Sequence, residues 1–148
     1  MVTPILLSKL AFDKSYATTF PFTSNGGNQV VKNRLQIANN VTGVVVYDST
    51  QTTYQLYHTL AENTLTNGTY YNARLKTYDV ANNESEWSNT IQFYCFQTPT
   101  LTFQNFQSTI NNSTQLFEAL YSQFNGEPIA TYQFTWYDSL NNIVSQSA

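Results

Sequence analysis

Charged side chains are scarce in this sequence. They make up 10% of the residues, against roughly 25% in typical soluble domains. Six residues are Lys or Arg, and the formal net charge is −3. A chain with so little positive charge cannot neutralise many phosphate groups, which argues against nucleic acid as a partner.

Cysteine and histidine each occur once, as Cys95 and His58. One cysteine excludes an intrachain disulfide and a thiolate metal cluster. Cys95 shares a strand face with Ile91 and Phe93, so it is expected to be a small buried hydrophobic residue and not a reactive thiol. His58 falls between leucines in an inward register, which predicts a packed, hydrogen-bonded imidazole without a catalytic or ligand role.

Long hydrophobic runs are also missing. The N-terminal stretch "MVTPILLSKLAFDKSY" is too short and too interrupted for a signal peptide or a membrane span. The sequence therefore predicts a soluble chain that is not exported by the usual route and has no membrane partner.

Uncharged polar residues and aromatics are abundant instead. Asn, Gln, Ser and Thr supply 62 of the 148 residues, and aromatics make up 16%. Thr, Tyr and Phe suit a pleated, half-buried layer, so the composition predicts an all-β fold. Alternation of apolar and polar residues predicts strands, and no helix, at 18–22, 29–38, 44–48, 54–60, 70–77 and 91–96.

The same alternation predicts which side chains face inward. Tyr54 and Leu56 are expected to share a face with His58 and Leu60. Arg34 and Gln36 are expected to face outward. The predicted core consists of Leu35, Ile37, Leu56, Tyr71, Leu75, Ile91 and Phe93.

Three weak internal matches suggest a repeat. "TPILL" at 3–7 matches "TPTLTF" at 98–103, "SNGG" at 24–27 matches "FNGE" at 124–127, and residues 33–49 match 132–148, at offsets of 95, 100 and 99. This spacing is the length of an immunoglobulin-like sandwich, about 100 residues. It predicts one complete unit at 1–97 and the start of a second at 98–148. The second would lack a counterpart of residues 65–96, so the chain is expected to be the N-terminal part of a longer protein.

The run "LTNGTYY" at 65–71 resembles the Leu-x-Pro-Gly-Thr-x-Tyr signature of fibronectin type III modules, with Asn67 in the place of Pro. The segment Asn83-Glu84-Ser85 resembles the Gly-x-Ser pattern in the family's loop before its last strand. The resemblance implies an antiparallel, fibronectin type III-like β-sandwich, followed by part of a second. It also implies that the Tyr71 hydroxyl bonds to backbone a few residues upstream, as a structural tyrosine corner.

No constellation of residues predicts catalysis. The nearest approach to a metal cluster is Asp79, Glu84 and Glu86 in one loop, which lacks the dense ligand spacing of a dedicated calcium site. A nucleophilic triad needs a base beside Ser or Cys, and His58 points inward. The sequence therefore predicts no enzyme activity, no catalytic or metal site and no cofactor.

The run at 31–100, from "VKNRLQ" to "CFQTPT", resembles the N-terminal region of tail or baseplate proteins of phages that infect Gram-positive bacteria. The resemblance implies a virion structural protein, made in the host cytoplasm, whose modules assemble and space a host-binding part. It implies other tail or baseplate proteins as partners, a homo-oligomer within the assembly, and host cell-wall glycans bound through parts beyond residue 148.

Two other function classes stay open. A carbohydrate-binding module or adhesin of a bacterial surface protein would use Trp87, with Tyr78 nearby, to stack on sugar rings; alternatively, Trp87 covers the end of the core. A spacer module of a secreted polysaccharide-degrading enzyme is the third class, which the lack of a signal peptide disfavours.

The strand register predicts an interface. Tyr70 and Tyr78 face outward on one strand, Tyr94 and Phe96 on the next, and Arg74 lies among them. Exposed aromatics and Arg are typical of interface hot spots. We expect another chain to cover this face; the alternative is cover by a neighbouring module or by the N-terminal segment.

Overall fold

A computed structural model describes residues 1–105, 116–123 and 128–147. All regular structure within these ranges is β-strand, as the composition and alternation predict. The chain divides into two compact units, Met1–Thr98 and Pro99–Ala148. The match that involved residues 124–127 lies outside the described residues.

The first unit is built from two sheets. The smaller has the order β1 (Ile5–Leu6), β3 (Thr18–Thr23), β6 (Tyr57–Leu60). The larger has the order β2 (Ala11–Asp13), β8 (Ile91–Phe96), β7 (Thr69–Tyr78), β4 (Lys32–Asn39), β5 (Val45–Thr52).

One pairing departs from the predicted antiparallel pattern. β2 runs parallel to β8, with Phe12 opposite Cys95. The N-terminal segment pairs with β3 through β1 and then crosses to the other sheet, so its direction is antiparallel in one sheet and parallel in the other. A sequence pattern that specifies faces cannot specify this exchange.

The core lies between the two sheets. Inward residues of both sheets form one buried cluster, in which the rings of Phe20 and Phe93 lie 5.3 Å apart between centroids. Six of the seven predicted core residues are buried, which confirms the register: Leu35, Ile37, Tyr71, Leu75, Ile91 and Phe93.

Leu56 is the exception. Its exposed fraction is 46%, and that of Tyr54 is 69%. β6 begins only at Tyr57, so the alternation that holds for His58 and Leu60 does not extend upstream. The predicted inward position of Leu56 is wrong because residues 53–56 form the bend into the strand and not the strand itself.

The second unit contains two hairpins, β9 (Thr100–Phe103) with β10 (Ala119–Ser122), and β11 (Thr135–Tyr137) with β12 (Ile143–Gln146). Aromatic side chains join them: Phe103 lies 6.0 Å from Phe134, and Phe117 lies 5.3 Å from Trp136, between ring centroids. Yet none of the described residues of this unit is buried. Most of its described apolar side chains are exposed, whereas Phe117, Phe134 and Trp136 are partly covered.

The segment 134–147 is a local copy of 75–88. The Ser88 amide donates to the Leu75 carbonyl at 2.8 Å, and the Leu75 amide donates to the Ser88 hydroxyl at 3.0 Å. Ser147 and Phe134 make the same two bonds at 2.8 and 2.9 Å. The expectation that the second unit has no counterpart of residues 65–96 is therefore wrong for this stretch.

Candidate interface on the outer sheet face

The outer face of the five-stranded sheet is the surface that β4, β5, β7 and β8 turn away from the core. Alternation in β7 and β8 buries Tyr71, Leu75 and Phe93 and leaves the intervening residues outside. The five residues of the predicted interface all occupy these outward positions: Tyr70, Arg74, Tyr78, Tyr94 and Phe96.

The structure does not gather their four aromatic rings in one patch. Tyr70 and Tyr94 are directly opposed across the two strands, with ring centroids 4.8 Å apart. Tyr78 is eight positions along β7 from Tyr70, which at about 3.3 Å per residue is roughly 26 Å away. It lies instead beside Lys32, whose Nζ is 5.8 Å from the ring centroid.

A serine-rich segment replaces the missing half of the neighbouring strand. β8 pairs with β7 only from Thr69 to Ala73. Beyond that point, the amide of Leu75 donates to the Ser88 hydroxyl and that of Thr77 to the Ser85 hydroxyl, each at 3.0 Å. Side-chain oxygens thus satisfy buried backbone donors that a strand would otherwise pair. This holds residues 85–88 rigidly along the sheet.

Trp87 is placed over the outer face by that segment. Its ring centroid lies 4.4 Å from Cζ of Arg74, 4.6 Å from Nζ of Lys76 and 5.8 Å from Cζ of Arg34. Cations at these distances are attracted by the ring quadrupole. The ring therefore covers the outer sheet face, not the end of the core, and it is only partly exposed for stacking on a sugar.

Four of the six basic residues of the chain lie on this face: Lys32, Arg34, Arg74 and Lys76. Two are paired with carboxylates. Nε and Nη2 of Arg34 donate to the two oxygens of Asp48 at 2.6 and 2.7 Å, and Nζ of Lys76 lies 3.2 Å from Glu84. The hydrogen bond with Asp48 raises the pKa of Arg34, and the same bond lowers that of Asp48.

Arg74 has a neutral partner. Its Nε and Nη2 both donate to Oε1 of Gln36, at 2.9 and 2.7 Å. Gln36 in turn donates to Asp48 at 3.0 Å. Within the described chain no carboxylate lies within ion-pair distance of Arg74. Its guanidinium is therefore held in orientation while its charge stays uncompensated by direct contact.

A shallow hollow of about 260 Å³ opens beside this guanidinium. Val45 and Ala38 form an apolar wall, and Gln36, Asn72 and Thr90 supply polar groups around Arg74. Sequence reasoning missed the hollow because it depends on the β4–β7 register, which places Gln36 opposite Arg74. The available signal was the outward position of Arg34 and Gln36 on one strand and Arg74 on another.

His58 lies away from this face, fully buried between the sheets. Its Nδ1 lies 2.5 Å from Oδ1 of Asn33, and its Nε2 lies 2.9 Å from the Tyr47 hydroxyl. A carbonyl oxygen only accepts, so Nδ1 carries the proton and Nε2 accepts from Tyr47. Burial lowers the pKa of His58 to about 4. The predicted packed, hydrogen-bonded imidazole is confirmed.

Cys95 is buried in the core, as its position on the strand predicts. Burial raises the pKa of its thiol to about 11. The thiolate is the reactive form of cysteine, so at neutral pH this side chain is inert.

In the loop that contains Asp79, Glu84 and Glu86, the Asp79 carboxylate accepts hydrogen bonds from within the protein. Oxygens of Asp79 accept from the Asn28 amide group at 2.7 Å and from the backbone amides of Ala81 and Asn83 at 3.0 and 2.9 Å. Bonds from the side chains of Asn83 and Asn28 lower the pKa of Asp79 to about 2. N–H donors occupy the oxygens that a cation would need, and the described residues contain no group of three possible metal ligands.

Tyr71 makes the backbone contact expected of it. The amide of Thr66 donates to its hydroxyl at 3.0 Å, and the hydroxyl lies 3.4 Å from the Thr66 carbonyl. The bond ties the turn before β7 to the strand, since the Tyr71 side chain is buried beside Phe93. Its role is structural and lies on the opposite side of the sheet from Arg74.

Comparisons with known proteins find no related family and only weak structural similarity. No family model and no curated protein matches the chain. A β-1,2-glucanase from Parabacteroides distasonis is similar over 66% of this chain and 13% of its own, with 14% identity and a TM-score of 0.47. Pectate lyase Pel3 from Pectobacterium carotovorum is similar over 61% of this chain and 26% of its own, with 17% identity and a TM-score of 0.38. The chain thus spans a small part of either enzyme, and likenesses this weak carry no argument about function.

The described residues contain no helix that is long and apolar enough to cross a membrane.

Proposed function

We propose that the chain is a structural component of a bacteriophage tail or baseplate, in which fibronectin type III-like modules mediate assembly and space a host-binding part. The observation that carries the proposal is the outer sheet face. It presents Arg74, Trp87 and the Tyr70–Tyr94 pair on a rigid sheet, and residues of these types dominate protein interfaces.

The groups with reactive potential in the described chain support a structural role. His58 is buried between Asn33 and Tyr47, Cys95 lies in the core, and the Asp79 carboxylate holds a turn. Each is engaged in keeping the sandwich together. A module built in this way contributes surface and rigidity to an assembly.

The open second unit supports the same proposal. Leu101 and Phe103 are 51% and 50% exposed. They lie on one face of the strand pair, where Leu101 is paired with Tyr121 and Phe103 with Ala119 across the two strands. Apolar surface of this kind calls for cover by further polypeptide. A module that is completed by its surroundings suits a chain embedded in a larger particle.

The carbohydrate-binding alternative rests on Trp87, and the placement of that ring weakens it. A stacking platform needs a free ring face, whereas Trp87 is partly covered and lies against Arg74 and Lys76. We therefore retain a surface adhesin as the competing outcome of the test below.

Immunogold electron microscopy tests the proposal. Antibodies raised against this chain should label the tail or baseplate of phage particles induced from the bacterial strain that encodes it. Preimmune serum and particles from a strain without the gene serve as controls. Label on the bacterial envelope with none on particles would support the adhesin and refute the phage assignment.

A further inference from the structure

We propose that the hollow beside Arg74 receives a carboxylate side chain from an acidic segment of a partner protein. The inference deepens the proposed function, on which it rests, by giving the chemistry of the partner at the outer sheet face. It depends on charge distribution, on the fixed orientation of one guanidinium and on the shape of the hollow.

The charge distribution is strongly uneven. The outer face carries Lys32, Arg34, Arg74 and Lys76 against Asp48 and Glu84, a formal charge of +2. The chain as a whole carries −3, so the remaining residues carry −5 by difference. A positive face on an otherwise acidic chain attracts an anionic partner.

The guanidinium of Arg74 is oriented before any partner arrives. Gln36 Oε1 accepts from both Nε and Nη2, and the Trp87 ring lies 4.4 Å from Cζ. Arg74 is nevertheless exposed, and Nη1 has no bond to any described group. A planar, oriented guanidinium binds carboxylates with good geometry, and its fixed position reduces the entropy lost on binding.

The hollow fits the stem as well as the charge of an acidic side chain. Val45 and Ala38 offer apolar contact to methylene groups, while Asn72 and Thr90 offer polar contact at the rim. The hollow opens on a β-sheet surface flanked by the Tyr70–Tyr94 pair, which supplies the amphipathic aromatic surface typical of protein interfaces. These features favour a protein segment as the source of the carboxylate.

The probe is a fluorescein-labelled peptide of alternating Glu and Ser, and its control replaces every Glu with Gln. Fluorescence anisotropy with the full chain at pH 7 and low salt should show binding of the Glu peptide alone. The affinity should fall at an ionic strength of about 0.15 M, where the Debye length is about 8 Å. Equal binding of the Gln peptide would overturn the proposal.

Matched variants locate the site. Arg74→Gln should weaken binding of the Glu peptide about fivefold or more. Lys14→Gln makes the same change of charge just after β2, the edge strand that β8 separates from β7. At an ionic strength of about 0.1 M, where the Debye length is about 10 Å, it should leave the affinity within about twofold. Both variants should keep the wild-type thermal transition. An equal loss of affinity in the two variants would show that only the net charge of the chain matters, and would refute the site.

Competition with sodium polygalacturonate separates the two sources of carboxylate. At equal carboxylate concentration it should displace the peptide poorly; stronger binding of the polysaccharide would identify a glycan and overturn a protein segment. If the Glu peptide does not bind but the antibodies label phage tails, only the carboxylate site is refuted. If the Glu peptide binds but the antibodies do not label phage tails, the phage assignment is refuted and the carboxylate site stands.

Discussion

Asp79 and Asp138 lie 59 positions apart and hold the same turn. One oxygen of each accepts from the backbone amides two and four residues ahead, and the other accepts from the side-chain amide of Asn83 or Asn142. Asn82 and Asn141 follow with φ of 63° and 62°, the left-handed region that Asn tolerates better than most residues.

The first prediction compares these two turns. Asp79→Asn should lower the thermal midpoint of the chain more than Asp138→Asn, because only Asp79 is buried and also binds Asn28. The neutral amide cannot accept as strongly from the N–H donors, whereas the exposed Asp138 turn can exchange its bonds for water.

Differential scanning calorimetry of the two variants checks the ranking. Equal midpoints, or a larger fall for Asp138→Asn, would contradict it. NMR titration supplies a second readout, since the Asp79 carboxyl should remain ionised down to a pH of about 2.

The second prediction concerns the Tyr71 hydroxyl. Tyr71→Phe should reduce the free energy of unfolding by about 1 kcal/mol, or somewhat more, because the Thr66 amide loses its acceptor in a partly buried position. Chemical denaturation measures the change. Tyr70→Phe is the matched control on the exposed side of the same strand and should shift stability by less than about 0.5 kcal/mol.

The third prediction uses two leucines that sequence alone treats alike. Leu75→Ala should cost about 2–5 kcal/mol, because Leu75 is fully buried and its truncation leaves a cavity. Leu56→Ala should cost less than about 1 kcal/mol, because that side chain is already half exposed. Similar losses in urea denaturation would show that the register of β6 and its preceding bend is misplaced.

These leucines show where sequence reasoning holds and where it stops. The alternation in β7 determines which residues face inward, since a slip of one position would expose Leu75 and bury Lys76. The position at which a strand begins depends on tertiary contacts. The Gln51 side chain bonds both the amide and the carbonyl of Thr59 and so fixes β6 across from β5, and nothing local to Leu56 signals that arrangement.

The candidate site was predictable in its parts and not in its arrangement. The outward positions of Arg74, Tyr70 and Tyr94 follow from alternation alone. The neighbour of the far half of β7 does not follow from alternation, because β8 stops pairing with β7 at Ala73 and serine hydroxyls bond to β7 beyond that point. The sequence did contain one indication of the turn that leads into this serine-rich segment: Tyr-Asp-x-x-Asn-Asn occurs at 78–83 and again at 137–142.

The fourth prediction concerns acid sensitivity through His58. Burial lowers its pKa to about 4 in the folded chain, against 6.5 as the ordinary value. The unfolded chain therefore binds more protons between these values, and stability rises with pH across the window. On acidification the contribution is lost progressively below pH 6.5, by about 2 kcal/mol between pH 7 and 5.

Urea denaturation at pH 7, 6 and 5 measures the slope. Because His58 is the one histidine in the chain, His58→Gln should flatten the slope between pH 7 and 5, whatever its effect on absolute stability. Carboxylates do not interfere, since they titrate mainly below this range. An unchanged slope in the variant would assign the acid sensitivity to another group.

The last prediction separates the two units. Residues 1–98 expressed alone should unfold in one cooperative transition, since the buried cluster lies wholly within them.

Residues 99–148 alone should give no cooperative transition as a monomer and should bind a dye such as ANS. None of their described residues is buried, and Phe134 and Trp136 are only partly covered by the facing hairpin. Fifty residues without a closed core do not offset the loss of chain entropy on folding. A sharp thermal transition of this fragment, with monomeric mass in light scattering, would show that the second unit closes its own core.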